Sequence, residues 1–328
     1  MTRLPRRVAR GVSYVHNYQD AGARGYGSEA GLRSLAELSE LGVTSVSVMP
    51  FGFMSSVRDE RVRLVGKMRA GETDARVEKT VARARERGMR VLLKPHVWIR
   101  GGAYRGKIDP GDDGAWARWF DSYERFLMHY AELGERTGAE VLSIGVELGS
   151  ATRRDPDRFR AMIAKVRKRY RGRLVYSANW DEARDVTFWD ALDYVGVQFF
   201  APLADHPGAA ESALLARARE HMAALEELAL RVKRPVLFTE VGYKSVEGTA
   251  VSPHLWPERL KGDEQVSNAA QLEAYRAFLR SLQGREWVAG LYVWKWFSDV
   301  ETREEGPDGF SPRGKPALDV LRCAFGGT

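Results

Sequence analysis

The chain holds a single cysteine, Cys323, which rules out a disulfide framework within it and a zinc cluster of thiolates. Its six histidines show no H-E-x-x-H or other short ligand spacing. There is no G-x-S-x-G elbow and no phosphate loop. No metal and no cofactor are therefore expected. No stretch approaches the roughly 18 apolar residues of a membrane span, so no membrane partner is expected. The basic N-terminus, MTRLPRRVARGVSYV, has no apolar segment before its first strand-like run and does not read as a signal peptide. As it stands the chain reads as cytoplasmic, or as secreted if an export signal has been trimmed. Pro/Gly/Ser-rich linkers, low-complexity tracts and close repeats are missing too, so a single domain over residues 1–328 is the simplest organisation.

The excess of positive charge is small. Lys and Arg number 51 against 44 Asp and Glu, a net +7 that is mild for 328 residues. The basic residues cluster on predicted helices, notably Arg153–Arg173, as on a solvated outer face, and no nucleic-acid signature accompanies them. Hydrophobic residues make up 44%, enough for a large core and too many for a disordered chain.

Two apolar runs each stop at one glutamate: VLSIGVEL at Val141–Leu148 and PVLFTEVGY at Pro235–Tyr243. Continuous apolar runs of this length read as strands buried on both faces, as in a parallel sheet under helices. Strand-like runs recur along the chain at Gly11–Asn17, Val43–Met54, Arg90–Ile99, Glu140–Leu148, Arg173–Trp180, Asp193–Phe200, Pro235–Tyr243 and Val288–Trp296. Helical spacing fills the intervals at Ser28–Leu41, Thr73–Arg87, Trp116–Thr137, Glu211–Arg231 and Asn268–Leu282, with a last helix at Lys315–Ala324. Asp155-Pro156 opens a further helix, Asp as N-cap and Pro at its first position. Asn268 and Gln271 match a capping-box spacing. Eight strands alternating with helices predict an α/β fold, a (β/α)8 TIM barrel. Active sites on such barrels form at the C-terminal ends of the strands, so Glu147 and Glu240 are expected to face one another across one mouth. The long connections, Phe51–Glu72, Lys244–Ser267 and Phe297–Gly314, fall on that same face.

Gly25-Tyr-Gly27-Ser-Glu-Ala30 matches the loose G-x-G-x-x-A dinucleotide pattern. It lies seven residues beyond its strand and lacks the acidic partner about 20 positions on, so a flexible first loop accounts for it better. Around the two glutamates, strand order gathers Tyr14, Lys94, His96, Trp98, Asn179, Trp180, Tyr243, Trp294 and Trp296. Indole faces stack on the C–H faces of sugar rings, while amides, imidazoles and charged groups bind hydroxyls. Two opposed carboxylates split glycosidic bonds: one protonates the leaving oxygen, the other attacks or activates water. The plain alternative is that both are ordinary strand-end charges, paired with Lys94, Lys244 or arginines. A pair of such glutamates on one barrel, with tryptophans at other strand ends, favours catalysis.

The segments LLKPHV (Leu92–Val97), IGVEL (Ile144–Leu148), YSANWDEA (Tyr176–Ala183), FWDALDYVGV (Phe188–Val197), FTEVGYKS (Phe238–Ser245) and VWKW (Val293–Trp296) come in an order and spacing that resemble glycoside hydrolase family 113. That family comprises endo-β-1,4-mannanases of the large clan of retaining barrel glycosidases. The resemblance runs from Gly11-Val-Ser-Tyr14 to Gly314-Lys-Pro-Ala317. It implies Glu147 as acid/base, Glu240 as nucleophile, and a polysaccharide or oligosaccharide substrate; a monomer is expected. Retention would set the two carboxyl groups about 5–5.5 Å apart. Two positions depart from the family pattern. Val146 stands where a polar residue usually precedes the acid/base. Strand six ends Gln198-Phe199-Phe200-Ala201, with no tyrosine hydroxyl for the nucleophile. A non-catalytic carbohydrate-binding barrel and a barrel glycosidase of different sugar or linkage are the alternatives.

Overall fold

The computed structural model describes residues 3–18, 21–64, 71–255, 265–299 and 305–327. Parts of the three long connections lie outside these residues. In chain order the strands are β1 (Ala9–Val15), β2 (Ser45–Val48), β3 (Phe51–Met54), β4 (Arg63–Leu64), β5 (Arg90–Leu93), β6 (His96–Ile99), β7 (Val141–Val146), β8 (Arg173–Asn179), β9 (Tyr194–Phe199), β10 (Val236–Val241) and β11 (Val288–Phe297). The helices are α1 (Ala21–Arg24), α2 (Glu29–Glu40), α3 (Asp74–Glu86), α4 (Asp113–Thr137), α5 (Gly149–Arg154), α6 (Pro156–Arg167), α7 (Glu211–Val232), α8 (Asn268–Ser281) and α9 (Ala317–Phe325). Strands β1, β2, β5, β7, β8, β9, β10 and β11 close a barrel, and each neighbouring pair runs parallel. This is the expected eight-stranded barrel. The apolar runs behind it are buried along almost their whole length in β7 and β10, as strands covered on both faces must be.

Two of the expected strands are cut short. Val43–Met54 and Arg90–Ile99 do not run on as single strands; each breaks at a proline, Pro50 and Pro95. A proline offers no N–H to a ladder, so a central strand cannot continue through it. The two continuations, β3 and β6, pair with each other instead, Phe51 opposite His96 and Phe53 opposite Trp98. With β4 they form a small three-stranded sheet beyond the C-terminal ends of β2 and β5. His96 is thereby carried past the barrel wall and over the mouth.

Capping follows the sequence in part. Asp155 accepts from the Arg158 N–H at 3.0 Å and starts α6 as expected. At α8 the N-cap is Ser267, whose hydroxyl accepts from the Ala270 N–H at 3.2 Å. Gln271 is not the partner of a capping box: its amide donates to the carbonyls of Tyr243 and Phe310 at 2.9 and 3.0 Å. It is fully buried, and its amide is taken up by those two carbonyls. Of the Gly25–Ala30 stretch, Gly25–Ser28 is a turn around buried Tyr26, whose N–H donates to His16 Nδ1 at 2.9 Å, and Glu29 and Ala30 already open α2 behind the N-cap Ser28.

The apolar interior divides by depth. Leu92, Val175, Leu237 and Tyr292 plug the barrel, one each from β5, β8, β10 and β11. Met49, Phe200, Trp294 and Phe310, with Val15 and Trp180 beside them, form a separate apolar patch at the C-terminal end. The much larger third cluster lies between the barrel and its helices.

Candidate active site

Glu240 owes its position to a bulge. Phe238 pairs with Val197 and Glu240 with Gln198, so β10 spends one residue more than β9 between those pairs. Side chains on a strand alternate, and strict alternation would point Glu240 the same way as Phe238. Phe238 faces outward, onto Phe199 and Phe278. The extra residue, Thr239, reverses the alternation, and Glu240 reaches inward to Lys94. The Lys94 ammonium donates to Glu240 Oε1 at 2.5 Å and to the Thr239 carbonyl at 3.0 Å. Lys94 is wholly buried and Glu240 is 3% exposed. Burial lowers the Lys94 pKa, and the Glu240 carboxylate works against that lowering. His96 Nε2 lies 3.9 Å from Glu240 Oε1. Burial and the nearby Arg105 and Lys94 cations hold the His96 pKa well below its ordinary value, so the imidazole is neutral.

Glu147 leaves β7 in a left-handed conformation with φ 49°, a geometry that costs a non-glycine residue about 1–3 kcal/mol. Hydrogen bonds on both sides hold it there. The Glu147 N–H donates to the Ser177 carbonyl at 2.9 Å. The Leu148 N–H donates to the Tyr176 hydroxyl at 2.7 Å, and that hydroxyl donates to Glu182 Oε1 at 2.9 Å. The same Glu182 oxygen accepts from the Asn179 N–H at 3.0 Å. Glycine at 149 leaves room for this carboxylate, since a Cβ there would sit 2.3 Å from Glu182 Oε2. Burial raises the Glu182 pKa to about 7.

The Glu147 carboxylate takes a hydrogen bond from Arg105 at 2.9 Å. Its pKa is raised, chiefly by burial; Arg105 and Lys94 pull it down and the Glu240 charge pushes it further up. Gln198 adds a hydrogen bond that favours the ionised form. Two side-chain atoms beside the pair have no hydrogen-bond partner although buried: His96 Nε2 and Gln198 Oε1.

Six of the nine other expected residues assemble at this mouth. Lys94 and His96 touch or approach Glu240. Trp98 stands exposed on the rim sheet against Phe51. Asn179 ends β8, and Trp180 follows it onto the apolar patch that holds Trp294. The remaining three are in the wall between barrel and helices. Tyr14 donates to the Gly31 carbonyl at 2.7 Å and stacks on Tyr26. Trp296 donates to Ser34 Oγ at 2.9 Å. Tyr243 packs edge-on against Tyr275. A bulge explains Trp296 too. Val12 pairs with Val293 and Tyr14 with Trp296, so β11 carries an extra residue there. Trp294 and Trp296 therefore point opposite ways.

Arg105, Gln198, Glu182 and Tyr176 are site residues that strand-end reasoning missed. Gln198 had a signal, as the one polar residue inside the buried run DYVGVQFF. Arg105 had none, because it lies in a short turn beyond the rim sheet. Lys244, a candidate partner for the glutamates, instead donates to the carbonyls of Ser252 and Leu255 at 2.9 and 2.6 Å. Among the described residues, no group of three His, Cys, Asp or Glu side chains comes together in a way that could hold a metal ion. No described helix is long and apolar enough to cross a membrane.

A parallel eight-stranded barrel with two glutamates at the C-terminal ends of β7 and β10, each paired with its own buried or half-buried cation, has the layout of a barrel glycosidase. The family model of Glycoside Hydrolase Family 113 matches residues 17–315, and the chain belongs to that family. A GH113 β-mannanase, AaManA from Alicyclobacillus acidocaldarius, solved in complex with ManMIm, is 27% identical and superposes at a TM-score of 0.83, with 97% of each chain covered. A second GH113 β-1,4-mannanase, solved as a complex, is 24% identical with a TM-score of 0.83 over 100% of both chains. A Family 5 mannosidase from Rhizomucor miehei shares the fold at 12% identity and a TM-score of 0.60, covering 98% of this chain and 93% of its own. No curated protein matches the chain. The protein is thus a glycoside hydrolase by family.

Proposed function

We propose that the protein is a retaining glycoside hydrolase that cleaves β-1,4-mannan or its oligosaccharides with Glu240 as nucleophile and Glu147 as acid/base. The observation that carries this is the pair itself. Two glutamates from opposite sides of one barrel sit close enough for the charge of one to shift the other, and they have unlike environments. Glu240 lies on a buried ammonium, as suits a group that must be ionised to attack. Glu147 has its pKa raised by burial, as suits a group that must hold a proton at the start of the reaction. The neutral His96 and the unpartnered Gln198 oxygen offer a donor or acceptor to sugar hydroxyls, and Trp294 offers an apolar floor. The β-mannanase relatives supply the choice of sugar and linkage.

In the first step Glu240 bonds to the anomeric carbon as the glycosidic C–O bond breaks, and the leaving oxygen takes the Glu147 proton. In the second, water attacks that carbon, gives its proton to Glu147 and frees Glu240. The two departures from the family pattern have local replacements. Gln198 reaches Glu147 from β9 where Val146 carries no polar group. Lys94 supports Glu240 where Phe200 has no hydroxyl.

The test is incubation with β-mannan, β-glucan and xylan oligosaccharides, following new reducing ends and their anomeric configuration by NMR. Release of β-anomers from mannan alone is expected. Turnover of another sugar would reassign the specificity, inverted product would overturn the nucleophile, and binding without any turnover would make this a carbohydrate-binding barrel.

A further inference from the structure

Arg105 lies on the turn that follows β6, far in sequence from either glutamate. Its Nε donates to the Val97 carbonyl of the rim sheet at 3.0 Å, which fixes the guanidinium in place. One of its terminal nitrogens then donates to Glu147 Oε2 at 2.9 Å and lies 3.5 Å from His96 Nδ1. The side chain is 16% exposed and that of Glu147 13%, so neither partner is a freely solvated surface charge. The turn is shaped for this reach: glycine at 106 lets the Tyr104 ring fold back over it, since a Cβ there would lie 2.4 Å from Tyr104 Cε1.

We propose that Arg105 is a positioning residue for Glu147: by holding Oε2 it confines the acid/base proton to Oε1. The inference rests on the acid/base reading of Glu147. A guanidinium only donates and does not give up its proton in proteins. An oxygen that accepts from it is a poor site for a second proton, so protonation falls on the other oxygen. Glu147 then enters the first step with Oε1–H as donor, and Arg105 stabilises the carboxylate left when that proton passes to the leaving oxygen. In the second step Oε1 takes the proton from water, and Oε2 stays held. The charged and titratable groups facing Glu147 are Arg105 and the Tyr104 phenol from this turn, Lys94 from the end of β5, Glu240 from β10 and Glu182 from the segment after β8. Neutral His96 stands on β6, and Gln198 on β9 adds an uncharged hydrogen bond. Arg105 donates to Glu147 and is anchored outside the barrel.

The experiment compares wild type, Arg105→Met and Arg105→Lys on a β-1,4-manno-oligosaccharide and on an aryl β-mannoside, across pH. The oligosaccharide needs full protonation of its leaving group, so Arg105→Met should lose about 10²-fold in kcat/KM on it. The loss on the aryl substrate should be much smaller. The basic limb of the kcat/KM profile should move to higher pH, because a cation that favoured the ionised Glu147 is gone. Arg105→Lys keeps the charge without the two-point grip, and should restore the pH limb more than the rate. Carboxyl 13C titration, with Glu147 assigned from a Glu147→Gln spectrum, reads the same shift without turnover. An unmoved midpoint, or equal losses on both substrates with an unmoved limb, overturns the proposal. If Arg105→Met does not fold, Arg105→Lys and its titration decide. A wild type inactive on every sugar overturns the acid/base reading itself, and this inference with it.

Discussion

At the residue scale the two glutamates are separable by chemistry. Glu240→Ala removes the proposed nucleophile, so hydrolysis should fall by orders of magnitude on every substrate. Glu147→Ala removes the proton donor, so the loss should depend on the leaving group. An activated aryl group departs without much help, and the glycosyl-enzyme then waits for a water that nothing deprotonates. Azide needs no deprotonation and should restore turnover of the aryl substrate in Glu147→Ala but not in Glu240→Ala. Full wild-type rates in both variants would remove the pair from the mechanism. Glu147 and Glu240 were visible in the sequence because each is the first charge after a buried apolar run. Tyr14, Trp296 and Tyr243 were misjudged for a local reason. Nearness to a strand end says which rim a residue is on, whereas the alternation of side chains says whether it faces the barrel axis or the helices. Bulges reset that alternation at Glu240 and between Trp294 and Trp296, and no run of apolar letters reveals where an extra residue sits.

At the element scale, the segment after β7 depends on β8. The Tyr176 hydroxyl is the common partner of the Leu148 N–H and of Glu182. Tyr176→Phe leaves the buried Leu148 N–H without its acceptor, a cost of about 1–3 kcal/mol for an unsatisfied buried group, and leaves Glu182 Oε1 with the Asn179 N–H alone. It also loosens the backbone next to Glu147 at its strained φ. The expected outcome is a lower Tm together with a fall in kcat that exceeds any change in KM. A variant with wild-type kcat would show that this hydroxyl does not position the glutamate. The elements themselves were largely legible: periodicity and capping residues located the barrel strands and all the longer helices. The rim sheet was not. Val43–Met54 and Arg90–Ile99 each read as one strand-like run, and nothing in that pattern shows that the chain leaves the barrel at Pro50 and Pro95. The prolines mark the exits only once the ladder they interrupt is known. The short α5 was also missed, because six residues carry too little period to read.

For the whole molecule, burial of acids has a consequence for stability against pH. Glu72 is 1% exposed, its Oε1 accepts from the Tyr18 hydroxyl, and burial raises its pKa from 4.5 to about 8. Glu182 rises from 4.5 to about 7 for the same reason. Each therefore binds its proton more tightly in the folded chain than in the unfolded one. The stability they contribute is complete below 4.5 and is lost as pH rises through their folded values. His96 and His254 act with the opposite sign: their folded pKa values lie below 6.5, so stability gained from leaving them neutral is complete only above 6.5. Below 6.5 the two effects oppose one another. Between 6.5 and 8 the histidines no longer contribute a slope and Glu72 still does, by about 2 kcal/mol across that window. The Tm measured by calorimetry should thus fall from pH 6.5 to 8 more steeply in the wild type than in Glu72→Gln, whose side chain has no proton to lose. The difference between the two slopes isolates Glu72 from every other group that titrates in the same range. Parallel Tm curves for the two proteins would mean that Glu72 is ionised in the folded state, and that its burial is offset by a partner.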